Sequence, residues 1–255
     1  MSDPLTWSPI RLGRWFGTTV RVHVVLILFV ATELMLALLA TSTQEGLRRF
    51  LQTACWLSLL IAALLIHELG HALCAYWLDW DQDDVHLWPL GNLVGPATSP
   101  RSGEHFLVAL AGPVTSGALF LGIAVGLNLF AGAHCVINPF GNVNEAGVPY
   151  DSGAPWVGDK LAAPLTPVWM LGWFGYLNYL LFIANLLPAL PFDMGRMFRA
   201  YLASTSVVSA RDTIYAPWTA RATAAILFLT GLVRLFLKVR TVSYTHLTLP
   251  TILRV

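Results

Sequence analysis

At 255 residues, with 56% hydrophobic and only 11% charged side chains, the chain is far more apolar than a soluble domain, in which roughly a quarter of residues are charged. Its formal net charge of +1 gives no reason to expect a nucleic-acid partner. Cys55, Cys74 and Cys135 give no disulfide framework, because the first two fall on one expected helix roughly 28 Å apart along its axis.

In chain order, residues 1–21 are too polar for a cleaved signal sequence and read as a cytoplasmic lead-in. Five apolar segments approach the roughly 20 residues that cross a bilayer: Val22 to Ala40, Phe50 to Leu78, His105 to Ala131, Leu165 to Leu187 and Thr219 to Leu237. No internal repeat is evident, so one domain over 22–240 is expected. Its fold class is an all-α integral membrane helical bundle of about five transmembrane helices. Between Asp79 and Gly103, the run Val85-His86-Leu87-Trp88-Pro89-Leu90-Gly91-Asn92-Leu93-Val94-Gly95 reads as a small β-hairpin or re-entrant element after the second helix. The polar loop from Ala133 to Pro164 carries no assigned role. After Arg240 the helical periodicity stops; residues 241–255 resemble an in-frame translation of a sequencing-library adapter and read as a non-native tail.

Orientation follows from the basic residues of the short loops. With the N terminus inside, the cytoplasmic side collects Arg11, Arg14, Arg21, Arg101, Arg196, Arg199 and Arg211, against Arg48, Arg49 and Lys160 opposite. The expected location is a multi-pass protein of the cell membrane, with Tyr76, Trp77 and Trp80 marking the cytoplasmic interface and the active site opening toward it.

The second span contains His67-Glu68-Leu69-Gly70-His71. Ionisable groups at membrane depth cost roughly 2.5 to 3.5 kcal/mol each on insertion scales and persist mainly where they bind something or carry protons. An H-E-x-x-H helix sets two imidazoles one turn apart on one face, suited to zinc, with a carboxylate beside them for acid–base work. A catalytic zinc takes three protein ligands as a rule. Asp193 is the best third candidate, in Asn185-Leu186-Leu187-Pro188-Ala189-Leu190-Pro191-Phe192-Asp193-Met194-Gly195. Pro188 and Pro191 break the helix, and such backbone is tolerated at membrane depth only inside protein or beside a wet cavity. The break can turn Asp193 back toward the histidines. Asn185 either binds substrate backbone or supports an oxyanion, or else caps the helix end. His86 is read as a polar loop histidine in preference to a fourth ligand, and His23, His105 and His134 as interfacial or loop residues.

These residues resemble the site-2 protease family of intramembrane zinc metalloproteases, in its compact bacterial and archaeal branch. The resemblance rests on His67 to His71, on N-x-x-P-x-x-P-x-D from Asn185 to Asp193, on Arg14-Trp15-Phe16-Gly17 with Val20-Arg21-Val22-His23 leading into the first helix, and on Leu110-Ala111-Gly112-Pro113 at the start of the third. It covers about Leu12 to Tyr201. Met194 departs from the usual Gly after the Asp, and Ser116 from a frequent Asn. The resemblance implies one Zn2+ held by His67, His71 and Asp193, with Glu68 as general base and later acid. It also implies an edge strand that pairs with an unwound substrate, and hydrolysis of a peptide bond within or near the transmembrane segment of a membrane protein, such as an anti-sigma factor or signalling precursor. The resemblance also implies a sixth helix in many relatives, whereas no apolar segment beyond the fifth is expected from residues 238–255.

Two other classes use the same residue types. A polytopic transporter or proton channel would more naturally show half-helices in internal repeats. A non-catalytic zinc-binding scaffold has no need of Glu68.

Overall fold

A computed structural model describes residues 8–39, 43–79, 84–89, 91–92, 102–135, 156–157, 165–188 and 192–204. The expected fifth span, the tail, Pro191 and most of loop 133–164 lie outside these residues.

Among the described residues, three helices are apolar and long enough to be spans. α2 (Thr43–Trp77), α3 (Ser102–Ala131) and α4 (Pro167–Asn185) each contain a stretch long and apolar enough to cross a membrane. α2 has 35 residues, roughly 52 Å at the helical rise, and so exceeds a hydrocarbon core of about 30 Å. α4 starts on the N-cap Thr166, whose hydroxyl accepts from the Trp169 amide, with Pro167 at the first position where its missing N–H costs nothing. α1 (Val24–Leu38) has 15 residues, shorter than the first span expected from Val22. The chain up to Val22 is held in a sheet, and the His23 amide donates to the Leu87 carbonyl, so the helix cannot begin earlier. His23 is the N-cap, its Nδ1 accepting from the Val25 amide.

The lead-in is structured, which the sequence reading did not expect. β1 (Ile10–Trp15) and β2 (Thr18–Val22) form an antiparallel hairpin closed by Phe16 and Gly17, both at positive φ. Two consecutive positive-φ residues are what a type I′ hairpin turn demands. β2 then pairs in parallel with β3 (Val85–Trp88), across the crossover made by α1 and α2, and β3 pairs antiparallel with β4 (Gly91–Asn92). The result is a four-stranded sheet in sequence order. A second pair, β5 (His134–Cys135) with β6 (Trp156–Val157), links the two ends of the polar loop. The fold is therefore mostly helical rather than all-α.

Two apolar clusters fix the frame. Leu60, Ala63 and Leu64 of α2 meet Leu177 and Leu181 of α4, and Val20, Leu26, Val85 and Leu87 bind α1 to the sheet. Much of the remaining apolar surface points outward, as at Leu28, Leu121 and Phe130, where a lipid solvent imposes no cost. After α4 the chain turns through Leu186 to Pro188 and re-enters a helix at Asp193, the first residue of α5 (Asp193–Ser204).

Candidate metal centre

His67 and His71 lie four residues apart on α2, hence on one face, and both are buried. They sit roughly 15 and 9 Å before the Trp77 end of the helix. Opposite them α3 passes with Gly112 inward. A Cβ built on Gly112 would lie 2.2 Å from His71 Nε2 and 2.8 Å from His67 Nε2, so only glycine leaves that space open. On α2, a Cβ on Gly70, the residue before His71, would clash with Thr115 Oγ1 of α3. Glycines at 70 and 112 let the two backbones approach. The Gly112-Pro113 pair lies well inside α3, which starts at Ser102, rather than at the helix start.

The third member arrives from 122 residues away. Asp193 Oδ2 lies 3.0 Å from His67 Nε2 and 3.2 Å from His71 Nε2, and the two Nε2 atoms are 3.3 Å apart. Tetrahedral zinc with bonds of about 2.0 to 2.2 Å sets its ligand atoms about 3.3 to 3.6 Å from one another, so this triangle needs only a small expansion to hold the ion. His67, His71 and Asp193 are the group of side chains among the described residues that could hold a metal. The outer ring nitrogens support this. His71 Nδ1 donates to the Val108 carbonyl at 2.6 Å, which leaves the Nε2 of a neutral ring as a lone pair aimed at a carboxylate oxygen. Two such acceptors face each other favourably only across a cation or a proton. His67 Nδ1 pairs with Ser116 Oγ at 2.9 Å, which fixes the ring orientation in the same way.

Glu68, next to His67 on α2, is also buried. Asn185, the last residue of α4, uses both polar atoms locally: its Nδ2 donates to the Leu181 carbonyl at 3.0 Å and its Oδ1 accepts from the Asp193 amide at 3.4 Å. It spans the helix break and holds the first residue of α5. Arg196 completes the surroundings: Nη1 donates to Asp193 Oδ1 at 3.2 Å and Nη2 to the Asn92 carbonyl of β4 at 2.7 Å.

His86 lies in β3, where its Nδ1 pairs with Ser8 Oγ at 2.6 Å, and it is not in the metal-binding group. Sequence reasoning missed the partners of the centre. Ser116 entered only as a departure from a family pattern, Gly112 only as part of a motif, and Arg196 only as a loop charge. The i,i+3 spacing of Asp193 and Arg196 is the signal that was available for the last.

The sequence pattern of peptidase family M50 matches residues 55–230, which covers every side chain of the centre. The chain belongs to that family, the site-2 proteases. It is 32% identical over 237 residues to Rip3 of Mycobacterium tuberculosis, covering 88% of this chain and 51% of that protein. It is 26% identical over 207 residues to the zinc metalloprotease MJ0392 of Methanocaldococcus jannaschii, covering 78% of this chain and 49% of that protein. The chain thus spans about half the length of the curated relatives it matches. Its fold resembles the solved site-2 protease from Methanocaldococcus jannaschii, with a TM-score of 0.60 at 23% identity over 89% of this chain and 86% of that one.

Proposed function

We propose that this chain is an intramembrane zinc metalloprotease that hydrolyses a peptide bond within or near the transmembrane segment of a membrane protein. The observation that carries the reading is the convergence of His67 Nε2, His71 Nε2 and Asp193 Oδ2 beside the buried Glu68, on helices apolar enough to cross a bilayer. In this reading His67, His71 and Asp193 hold one Zn2+. When bound, zinc polarises a carbonyl oxygen and lowers the pKa of water toward about 7. Glu68 takes a proton from the attacking water and returns it to the amine that leaves as the C–N bond breaks. Asn185 acts on this chemistry indirectly, by fixing the backbone that presents Asp193.

The substrate class follows from depth. Side chains some 9 to 15 Å inside the end of an apolar helix reach a membrane-embedded segment more readily than a soluble loop. A helical substrate must be locally extended before its carbonyl is accessible, and the small sheet supplies a strand edge for that extended form. Anti-sigma factors and signalling precursors are proteins of this class. The same reading takes about five transmembrane helices in one domain over 22–240, with the N terminus and the opening of the site on the cytoplasmic side.

The test is zinc analysis combined with cleavage of a membrane-spanning peptide by the purified protein. Glu68→Gln retains stoichiometric zinc and loses about 10² to 10⁴ in turnover, as expected for removal of a general base. His67→Ala loses zinc and activity together. Stoichiometric zinc in His67→Ala, or full turnover by Glu68→Gln, would sink the assignment.

A further inference from the structure

We infer that Arg196 is a positioning residue that ties the strand edge to the metal centre, holding Asp193 Oδ1 so that Oδ2 alone faces the histidines. The inference rests on the metalloprotease reading above and extends it to a residue outside the ligand set.

An i,i+3 carboxylate–guanidinium pair on a helix surface is commonplace and contributes little. This one differs in two respects. Asp193 is 2% exposed and the Arg196 side chain 14%, so neither group is free to rotate into solvent. The guanidinium also makes a second bond, 2.7 Å to the Asn92 carbonyl, across 104 residues of sequence. A rigid planar fork with several donors can satisfy both acceptors at once, which a lysine ammonium at the end of a flexible stem does far less well. Asn92 is anchored in turn, its Oδ1 accepting from the His86 amide at 3.0 Å. A continuous path therefore runs from β3 through Asn92 and Arg196 to Asp193 and on to both imidazoles.

The consequence is directional. With Oδ1 occupied by Arg196, Asp193 offers one oxygen to the cation. The position of that oxygen depends on β4 as well as on α5. A displacement of the β4 edge moves Arg196, and through it the third ligand atom. The positive charge of Arg196 by itself opposes a second cation nearby, so charge and orientation act with opposite sign on metal affinity. A variant that keeps the charge but not the fork separates the two.

The experiment measures zinc dissociation constants by chelator competition on full-length wild type, Arg196→Lys and Arg196→Gln, together with hydrogen exchange of the peptide covering 85–92. Removing a hydrogen-bond partner of a metal ligand typically weakens binding about 10- to 100-fold. Both variants are expected to fall in that range, Lys included, and both show faster exchange in 85–92 than wild type, with exchange of the α2 peptides unchanged. Wild-type zinc affinity in Arg196→Lys would overturn the positioning role. Tighter binding in Arg196→Gln would show that charge repulsion outweighs orientation and would overturn it as well. Unchanged exchange in 85–92 would overturn the link to β4. Failure of the wild type itself to bind zinc would instead count against the metalloprotease reading, so the two ideas fail by different results.

Discussion

The metal centre and the N-terminal sheet lie next to each other but are held together on different principles. In the centre, polar atoms are buried and converge on one another: His67 and His71 face Asp193, their outer nitrogens engage Ser116 and Val108, and Arg196 backs the carboxylate. No member of this group can change without leaving another buried and unmatched, which costs about 1 to 3 kcal/mol for a neutral partner and more for a charged one. In the sheet, the β1–β2 hairpin is held by local ladder hydrogen bonds, the Arg21–Asp84 ion pair is 26% and 36% exposed, and Ile10, Leu12 and Phe16 remain open on the surface. Contacts of that kind are nearly independent and individually weak. Single substitutions should therefore act steeply in the centre and shallowly in the sheet.

The steepest case involves no polar atom. Gly112→Ala drives a methyl group against the metal-facing Nε2 atoms of both His71 and His67. Neither imidazole can retreat freely, because each outer nitrogen is already engaged. The expected result is loss of stoichiometric zinc and of cleavage with the helical circular dichroism retained, measured by metal analysis of purified protein. Normal zinc content in this variant would mean that α2 and α3 separate more easily than their glycine contacts imply.

Ser116→Ala should be intermediate. It removes the partner of His67 Nδ1 while leaving all three ligand atoms in place. Loss of such a partner frees the ring to rotate and to change tautomer, and about a 10- to 100-fold weakening of zinc binding is expected. Chelator competition measures it, and a weakening of less than about threefold would show that packing alone holds the His67 ring.

The same contrast explains what was legible in the sequence. α2, α3 and α4 end within a few residues of their apolar segments, because helix periodicity and span length are local properties. The His67–His71 pair was legible for the same reason, since four residues of separation decide its geometry. Asp193 was legible only through the Pro-containing break and the pairing of two distant motifs. The sheet was half hidden. Val85 to Trp88 carried β-prone residues between turn signals, but β2 finds it as a partner only after the long crossover through α1 and α2. The lead-in was read only for its polarity, and its two-residue turn at Phe16-Gly17 carries no Asn-Gly or Asp-Gly signal. Ser116, Gly112 and Arg196 were invisible as site residues, since their importance lies in which helix or strand they face and not in any spacing along the chain.

The shallow end of the comparison is Asp84. Burial alone would push its carboxyl up, but hydrogen bonds from Thr19 and Arg21 and the Arg21 charge outweigh that effect and hold it below the usual carboxylate value. A carboxyl depressed in the folded state contributes stability that is present above its unfolded pKa and is lost as pH falls through its folded pKa. The contribution should thus be complete at neutral pH and fade only in the acid range below the ordinary aspartate value. Because the pair is substantially exposed, Asp84→Asn should cost at most about 1 kcal/mol at neutral pH, and less as salt is raised. The difference from wild type should vanish at acid pH, and zinc affinity should be unchanged throughout. Thermal unfolding in detergent at several pH values, paired with chelator competition, checks both parts. A zinc affinity that follows Asp84 would break the comparison, because it would make the sheet's outer ion pair part of the centre rather than its neighbour.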